Sequence, residues 1–413
     1  MTDQPAAADR PARRPGLGSV LANPAYRRLF AAQTVSRWGD TFTLVALVVL
    51  VFRLTGSGLG VAGVAVAEIA PVLLLAPVAS VLVDRLPRVR VMVAADLWRM
   101  TLAGLLPLVD QHLAAVYAIA FGLAAGSVVF NPAAAAVLPS VVADEELVAA
   151  NSGLWSAAVI SQIALAPLAG TLVAAWGVAP AFWVNAASFA VSAVALAGLR
   201  LPRPPAPLAA GRWRQQLVDG ARLLTRVPLL RLLAVTQLLA ALSAGATSAL
   251  LVVLAGRRLG VGPDGFGLLL AAIGVGAAIG PLLLARLTAN PRRPALVFGP
   301  YLLRGLVDLI LGATRSLPVA LGALTAYGVG TSTGMVAYSA LLQAEVAAEA
   351  RGRVFAGFDL LWQAGRLASL ALGGIAADTL GIQAVYRLGG ALLLIAGVVG
   401  LAGLPHVLRH TRA

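Results

Sequence analysis

Long apolar runs alternate with short polar segments along almost the whole chain. A run of about 20 apolar residues is what an α-helix needs to cross the hydrocarbon core of a bilayer. The sequence predicts twelve such runs, six before and six after a Pro- and Arg-rich segment at 201–228. Because helices satisfy their own backbone hydrogen bonds in lipid, the pattern predicts an all-α membrane protein with twelve transmembrane helices.

The polar segments divide the chain into two halves of six helices. The predicted parts are a flexible tail at 1–25, a first half at 26–200, a linker at 201–228, a second half at 229–408 and a tail at 409–413. A shift of about 204 residues places Arg99 near Arg304 and Gly177 on Gly381. Two pseudo-symmetric six-helix bundles in a parallel repeat are typical of secondary transporters, whose substrate site lies between the halves near the bilayer midplane.

Charge then orients the predicted helices. Only 12% of the residues are charged, and all 31 basic residues are Arg. If both termini are cytoplasmic, 22 of these Arg fall in cytoplasmic segments and five in outer loops. Cytoplasmic loops carry an excess of basic residues, so we expect a multi-pass protein of the cell membrane with both termini inside. The net charge of +14 therefore reflects topology, and no nucleic-acid partner is expected.

The residue types that are missing exclude several chemistries. The chain contains no Lys, which excludes a phosphate-binding loop and a Schiff base. It contains no Cys, so disulfides and thiolate metal sites are excluded. The three His, at positions 112, 406 and 410, fall in predicted loops or tails, which disfavours a metal cluster or an intramembrane Ser–His enzyme. We expect neither an enzyme nor a cofactor.

Charged residues inside the predicted spans are candidates for function, because an intramembrane charge is costly. Arg37 and Asp40 lie one turn apart in the first span, and Asp40 falls near the midplane. Asp40 is a candidate proton site, and the alternative is a self-neutralised pair with Arg37. Glu68 lies alone in the second span, so it must be protonated or partnered across helices. Burial raises and a nearby Arg lowers a carboxylate pKa, which is the balance that proton coupling requires.

Two further pairs lie in the second half. Asp359 and Arg366 are seven residues apart in the eleventh span, hence on one helical face, with Trp362 between them. They could bind an anionic group or tune a carboxylate, or form an inter-helix bond. Arg304 and Asp308 lie four residues apart in the ninth span, where a structural role is favoured.

Several motifs make the chain resemble the major facilitator superfamily, and within it the drug:proton antiporter branch that contains macrolide-efflux and enterobactin-exporter proteins. The resemblance covers essentially the whole chain. The residues that carry it are WGD at 38–40, LTGSGLGVAG at 54–63, DRLPRVRVMVAADLWR at 84–99, LPSVVADEELVAANS at 138–152 and RGRVF at 351–355.

The stretch at 84–99 resembles the loop motif of that family, which forms a cytoplasmic gate. The residues that the resemblance assigns to this gate are Asp84, Arg85, Arg88, Arg90, Asp96 and Arg99. Asp84 would accept hydrogen bonds from the positive N-terminus of a neighbouring helix, and the eleventh, beginning near Arg353, is the expected one. In the family this contact stabilises the outward-facing state.

Together these features predict a proton-coupled transporter that exports a lipophilic or amphipathic small molecule by alternating access. The proton gradient would supply the energy, and the expected partners are a small-molecule substrate and the lipid bilayer. A monomer is the expected state. Two alternatives stay open: a transporter of a specific polar solute or siderophore, working in either direction, and a non-transporting membrane scaffold or sensor built on the same fold.

Overall fold

A computed structural model of the chain describes residues 17–199, 222, 224–287, 293–346 and 348–410. The described part contains twelve helices that are long and apolar enough to cross a membrane, as the sequence predicts. We label these helices α1 to α12. Their bounds are α1 Pro24–Thr55, α2 Gly58–Arg85, α3 Arg88–Leu105, α4 Leu113–Val137, α5 Leu147–Trp176, α6 Ala179–Ala197, α7 Pro228–Ala249, α8 Pro263–Leu287, α9 Pro294–Ala313, α10 Leu317–Glu345, α11 Ala348–Thr379 and α12 Ile382–His410.

The two predicted tails need correction at their inner boundaries. A short helix, Leu17–Ala22, precedes α1, and its Val20 is buried in the first-half core. The side chain of Asn23 then caps α1 by accepting from the backbone of Ala25 at 2.9 Å. The prediction of a flexible tail up to residue 25 is therefore wrong from residue 17 onward. Helix α12 likewise continues past the predicted boundary at 408.

Helix packing confirms two pseudo-symmetric bundles. In the first half, α1 packs on α5 and α6, α2 on α4, and α3 on α4 and α6. The second half repeats each of these pairs six helices later, for example α7 on α11 and α12. Between the halves, the two main contacts are α2 with α11 and α5 with α8.

The turns repeat with the same spacing. Within the described residues, the glycines with positive φ are Gly56, Gly177, Gly260 and Gly381. Gly56 (φ 61°) pairs with Gly260 (φ 65°), and Gly177 (φ 81°) with Gly381 (φ 86°), at the 204-residue shift that the sequence indicates. L side chains rarely adopt this conformation, so the four turns require glycine.

The hydrophobic core is shared at one end of the molecule and divided at the other. One cluster joins both halves and includes residues 45–51 of α1, residues 250–255 after α7, and Ile382, Val385 and Tyr386 of α12. We call this the closed end. At the opposite end, which carries the turn between α2 and α3 and which we call the charged-loop end, the first half has its own cluster and the second half another. The halves therefore diverge toward the charged-loop end.

Candidate functional site

A cavity between the two halves collects most of the intramembrane charges. Its first part, about 560 Å³, is lined by Arg37 and Asp40 of α1, Glu68 of α2 and Arg99 of α3. A second part, about 430 Å³, is also lined by Glu68 and has Arg366 of α11 in its opposite wall. We call the two parts together the central cavity.

Asp40 is exposed and lines this cavity. Arg37 is also exposed, and within the described residues no ion pair joins the two side chains. Asp40 still lies close enough to Arg99 and Arg37 to interact electrostatically with both. The self-neutralised pair considered from the sequence is therefore not formed, and Asp40 is available to solvent or substrate.

Glu68 faces the second half. Arg366 lines the same part of the central cavity and is close enough to interact electrostatically with Glu68, as is Asp40. Arg366 donates a hydrogen bond to Gln363 at 3.4 Å and forms no ion pair among the described residues. The sequence leaves Glu68 without a partner on its own helix, and the structure brings Arg366 toward it from the other half.

Asp96 and Arg99 lie inside the first half, away from the loop with which they were grouped. They form a buried ion pair, with Asp96 fully buried and Arg99 exposed by 2%. Ser192 of α6 donates to Asp96 at 2.7 Å. The Arg99 guanidinium lies between two rings, 4.5 Å from Phe130 and 4.4 Å from Phe189. These contacts bind α3 to α4 and α6.

The other residues of the predicted gate remain at the surface. Arg85 and Arg90 are exposed, and Arg88 donates to the carbonyl of Ala136 in the same half at 2.9 Å. The side chain of Asp84 lies outside the described part of the structure. The gating role of this group stays a prediction.

Arg304 and Asp308 are buried in α9 of the second half, the helix in which the sequence places them. Arg304 donates to the Tyr327 hydroxyl at 3.0 Å and lies over its ring at 4.8 Å. Asp308 accepts from Ser243 at 3.3 Å, and its second oxygen has no partner among the described residues. This pair is less well satisfied than Asp96 and Arg99, and both of its members line the central cavity.

A third cavity, about 370 Å³, lies within the second half. Asp359 lines it, and Trp362 lines both this cavity and the central one. Asp359, Trp362 and Arg366 therefore form one cavity-facing stripe of α11, as their spacing predicts.

A contact at the closed end was not foreseen from the sequence. Asp378, at the end of α11, accepts hydrogen bonds from the Ser57 hydroxyl at 2.5 Å, from the Gly58 amide at 2.7 Å and from the Leu59 amide at 3.0 Å. A carboxylate of the second half thus caps the N-terminus of α2 in the first half, where the free amides favour an anion.

Arg257, which follows α7, completes this contact. It pairs with Asp378 at 3.3 Å and donates to the carbonyl of Gly56 in the first half. The hydrogen bonds that we find between described residues of the two halves lie in this group. We call Ser57, Gly58, Leu59, Arg257 and Asp378 the closed-end latch. The LTGSGLG turn and the paired Arg at 257–258 were its only sequence signals.

Comparison with known proteins agrees with this architecture. The model of the family described as "Transmembrane secretion effector", a major facilitator family, matches residues 18–409. The multidrug efflux pump Tap of Mycolicibacterium fortuitum is 30% identical over 396 residues, which are 90% of this chain and 94% of Tap. The MFS-type transporter YfiS of Bacillus subtilis is 27% identical over 394 residues, 91% of this chain and 92% of YfiS.

Solved structures share the fold at lower identity. A bacterial homologue of the iron transporter ferroportin, solved in an inward-facing state, has a TM-score of 0.73 at 19% identity and covers 92% of this chain and 98% of its own. A bacterial homologue of the human lysosomal transporter Spinster has a TM-score of 0.73 at 14% identity, and the match covers 93% of this chain and 97% of that homologue. The chain is therefore a major facilitator transporter, not an enzyme, and belongs to the transmembrane secretion effector family.

Proposed function

We propose that this protein is a proton-coupled exporter of lipophilic or amphipathic small molecules in the cell membrane, with both termini in the cytoplasm. The observation that carries the proposal is the central cavity, which lies between two separable halves and has Asp40 and Glu68 in its wall. A carboxylate that faces water and substrate from one side of the membrane at a time can take up a proton on one side and release it on the other. The likeness to Tap, named a multidrug efflux pump, supports the direction and the cargo class.

The two ends of the molecule supply the gates for this cycle. At the closed end, the latch ties α2 to α11 and to the segment after α7. At the charged-loop end, the halves have separate cores. With the charged loops in the cytoplasm, the cavity is accessible from inside. Export then requires the closed-end latch to break while Asp84 closes the charged-loop end on α11.

Substrate flux in proteoliposomes tests the coupling. We expect Glu68→Gln to abolish flux that is driven by a pH gradient, while substrate binding and energy-independent exchange persist, because the neutral amide cannot release a proton. Asp40→Asn is expected to impair both binding and coupling, since it also removes the acid that faces Arg37 and Arg99. Asp110→Asn, in the loop after α3, is the matched control. If both cavity variants keep full gradient-driven flux, proton coupling does not use these residues and Asp359 becomes the next candidate.

Topology needs a separate measurement. Reporter fusions at Arg203 and at Ala413 are both expected to report a cytoplasmic location, because most of the Arg outside the membrane lie on that side. An external signal at either position contradicts the orientation, and with it the proposed accessibility of the cavity.

A further inference from the structure

The third cavity has a wall unlike that of the central cavity. Aromatic side chains dominate it: Tyr301, Tyr338, Phe355, Phe358 and Trp362. The rings of Tyr338 and Phe358 meet edge to face, 5.6 Å apart at 86°. Met335, exposed by 51%, adds a flexible thioether to the same wall. We call this cavity the aromatic pocket.

The packing that the two halves share does not depend on aromatic residues at three of these positions. At the 204-residue shift, the first-half counterparts of Tyr338, Phe358 and Trp362 are Ala134, Leu154 and Ala158. The first half therefore builds the same helix packing with aliphatic residues at these three positions. The rings add a surface that the fold alone does not need, and large aromatic groups around a cavity of drug-like size favour a binding role.

One carboxylate in this wall is free. Asp359 is exposed and makes no hydrogen bond or ion pair within the described residues. The other charged residue of the wall, Arg304, is already engaged, since its guanidinium bonds to and stacks on Tyr327, a residue that lines the central cavity. The negative charge thus lies at the outer part of the pocket and the positive charge at its inner boundary.

Two tyrosine hydroxyls of the aromatic pocket differ in their hydrogen bonds. The Tyr301 hydroxyl donates to Gln237 at 3.1 Å, which fixes that ring. The Tyr338 hydroxyl is buried and has no hydrogen-bond partner among the described residues. A buried hydroxyl without a partner is costly, and a bound polar group could satisfy it.

We propose that the aromatic pocket binds organic cations, with the ammonium group at Asp359 and the apolar body over Trp362 and the Tyr338–Phe358 corner. A cation over an aromatic face is attracted by the ring quadrupole, and one unpaired carboxylate supplies the opposite charge. Arg304, which lines the same pocket, and Arg366, which lines the adjoining central cavity, repel the charged group and favour its binding at Asp359. This inference deepens the proposed export function and rests on it for its biological meaning.

Equilibrium binding in lipid nanodiscs, without any gradient, tests the proposal independently of transport. Three fluorescent probes share one dansyl body and one five-carbon arm: dansylcadaverine is cationic, its N-acetyl derivative is neutral, and dansyl-6-aminohexanoate is anionic. We expect wild type to bind the cationic probe about tenfold more tightly than the neutral one. Asp359→Asn should remove this preference and leave the affinity for the neutral probe unchanged, while Asp359→Glu should retain it. Asp110→Asn serves as the matched acid-to-amide control.

The outcomes separate the two proposals. Equal affinities of wild type for the cationic and neutral probes overturn the cation site, as does an Asp359→Asn variant that weakens both probes alike. Tightest binding of the anionic probe overturns it in favour of an Arg304 site. If the probes discriminate as expected but no gradient-driven flux is found, the cation site stands and the proposed export function fails.

Discussion

The two ends of this molecule use the same pair of helices, α2 and α11, in opposite senses. At the closed end, Asp378 near the end of α11 caps the beginning of α2. At the charged-loop end, Asp84 near the end of α2 is predicted to cap the beginning of α11. Each acid lies one residue before the last residue of its helix. Because the helices run in opposite directions, a carboxylate at the C-terminal end of one meets the free amides at the N-terminal end of the other.

This comparison explains how one device can serve two gates. The observed cap at Asp378 joins the two halves, the predicted cap at Asp84 would do the same, and the halves share a core at the closed end. In the proposed transport cycle, rocking the halves to bring Asp84 toward α11 would separate Asp378 from α2. We therefore expect the two caps to compete, and the balance between them to set which side of the membrane reaches the cavity.

The largest expected effect concerns the buried ion pair between Asp96 and Arg99. Asp96→Asn leaves Arg99 buried without its counter-charge, which costs about 3–5 kcal/mol of unfolding free energy. Asp308→Asn is expected to cost about 1 kcal/mol, because Asp308 makes one long hydrogen bond at 3.3 Å and Arg304 keeps Tyr327. Thermal unfolding of the purified variants in detergent measures both losses. A loss of about 1 kcal/mol or less for Asp96→Asn would show that Asp96 is not needed for the packing of the first half.

Breaking the closed-end latch is expected to have the next largest effect. Asp378→Ala removes three hydrogen bonds to the start of α2 and the ion pair with Arg257. We expect a shift of at least about 2 kcal/mol toward the state that is open at this end, since a single hydrogen bond to a charged acceptor already contributes about that much. The chain has no native Cys, so spin labels attach only at the introduced positions Gln111→Cys and Arg315→Cys. The distance between these two labels measures the separation of the halves at this end.

A control distinguishes the latch from a general loss of charge. Asp264, in the first turn of α8, is exposed at the same end and makes no hydrogen bond to the other half within the described residues. Asp264→Asn should leave the distance distribution between the labels unchanged. An Asp378→Ala variant that matches this control would show that the latch does not hold the closed end.

The sequence predicted the charged residues of the central cavity but not Asp378 of the closed-end latch, and the reason is physical. Arg37, Asp40, Glu68 and Arg366 were identifiable because a charge within an apolar span is costly, and the cavity does collect them. Asp378 lies at a helix end, where an acid costs nothing in water and gives no such signal.

The contact partners of these residues could not be predicted for a different reason. Periodicity fixes which residues share a helix face, so Asp359 and Arg366 fall on one stripe as expected. It does not fix which helix that face meets. The placement of Asp378 against α2, of Arg366 toward Glu68, and of Asp96 beside Ser192 depends on packing between helices far apart in the chain.

At the charged-loop end, Asp84→Asn is expected to leave the protein folded and to slow transport severalfold with little change in substrate affinity. The amide keeps the shape of the side chain but loses the charge that attracts the N-terminus of α11, which contributes about 0.3–1 kcal/mol at an exposed site. Flux in proteoliposomes and probe binding in nanodiscs measure the two quantities separately. Transport equal to wild type by a stably inserted variant would remove Asp84 from the gate and leave the closed-end latch as the one gate supported by contacts.

The smallest expected effect comes from Ser57→Ala, which dissects the latch. The Ser57 hydroxyl donates to one oxygen of Asp378 at 2.5 Å and accepts from the Gly60 amide at 3.2 Å, so it caps α2 within its own half as well. Its loss should shift the labelled distances in the same direction as Asp378→Ala, but by about 1 kcal/mol or less, because the amides of Gly58 and Leu59 still reach the carboxylate. In the double variant, Ser57→Ala should add nothing to the conformational shift of Asp378→Ala, since the partner of the hydroxyl across the halves is already absent. A shift that adds in full would show that Ser57 acts only as the cap of α2, and that Asp378 holds the closed end through the backbone and Arg257 alone.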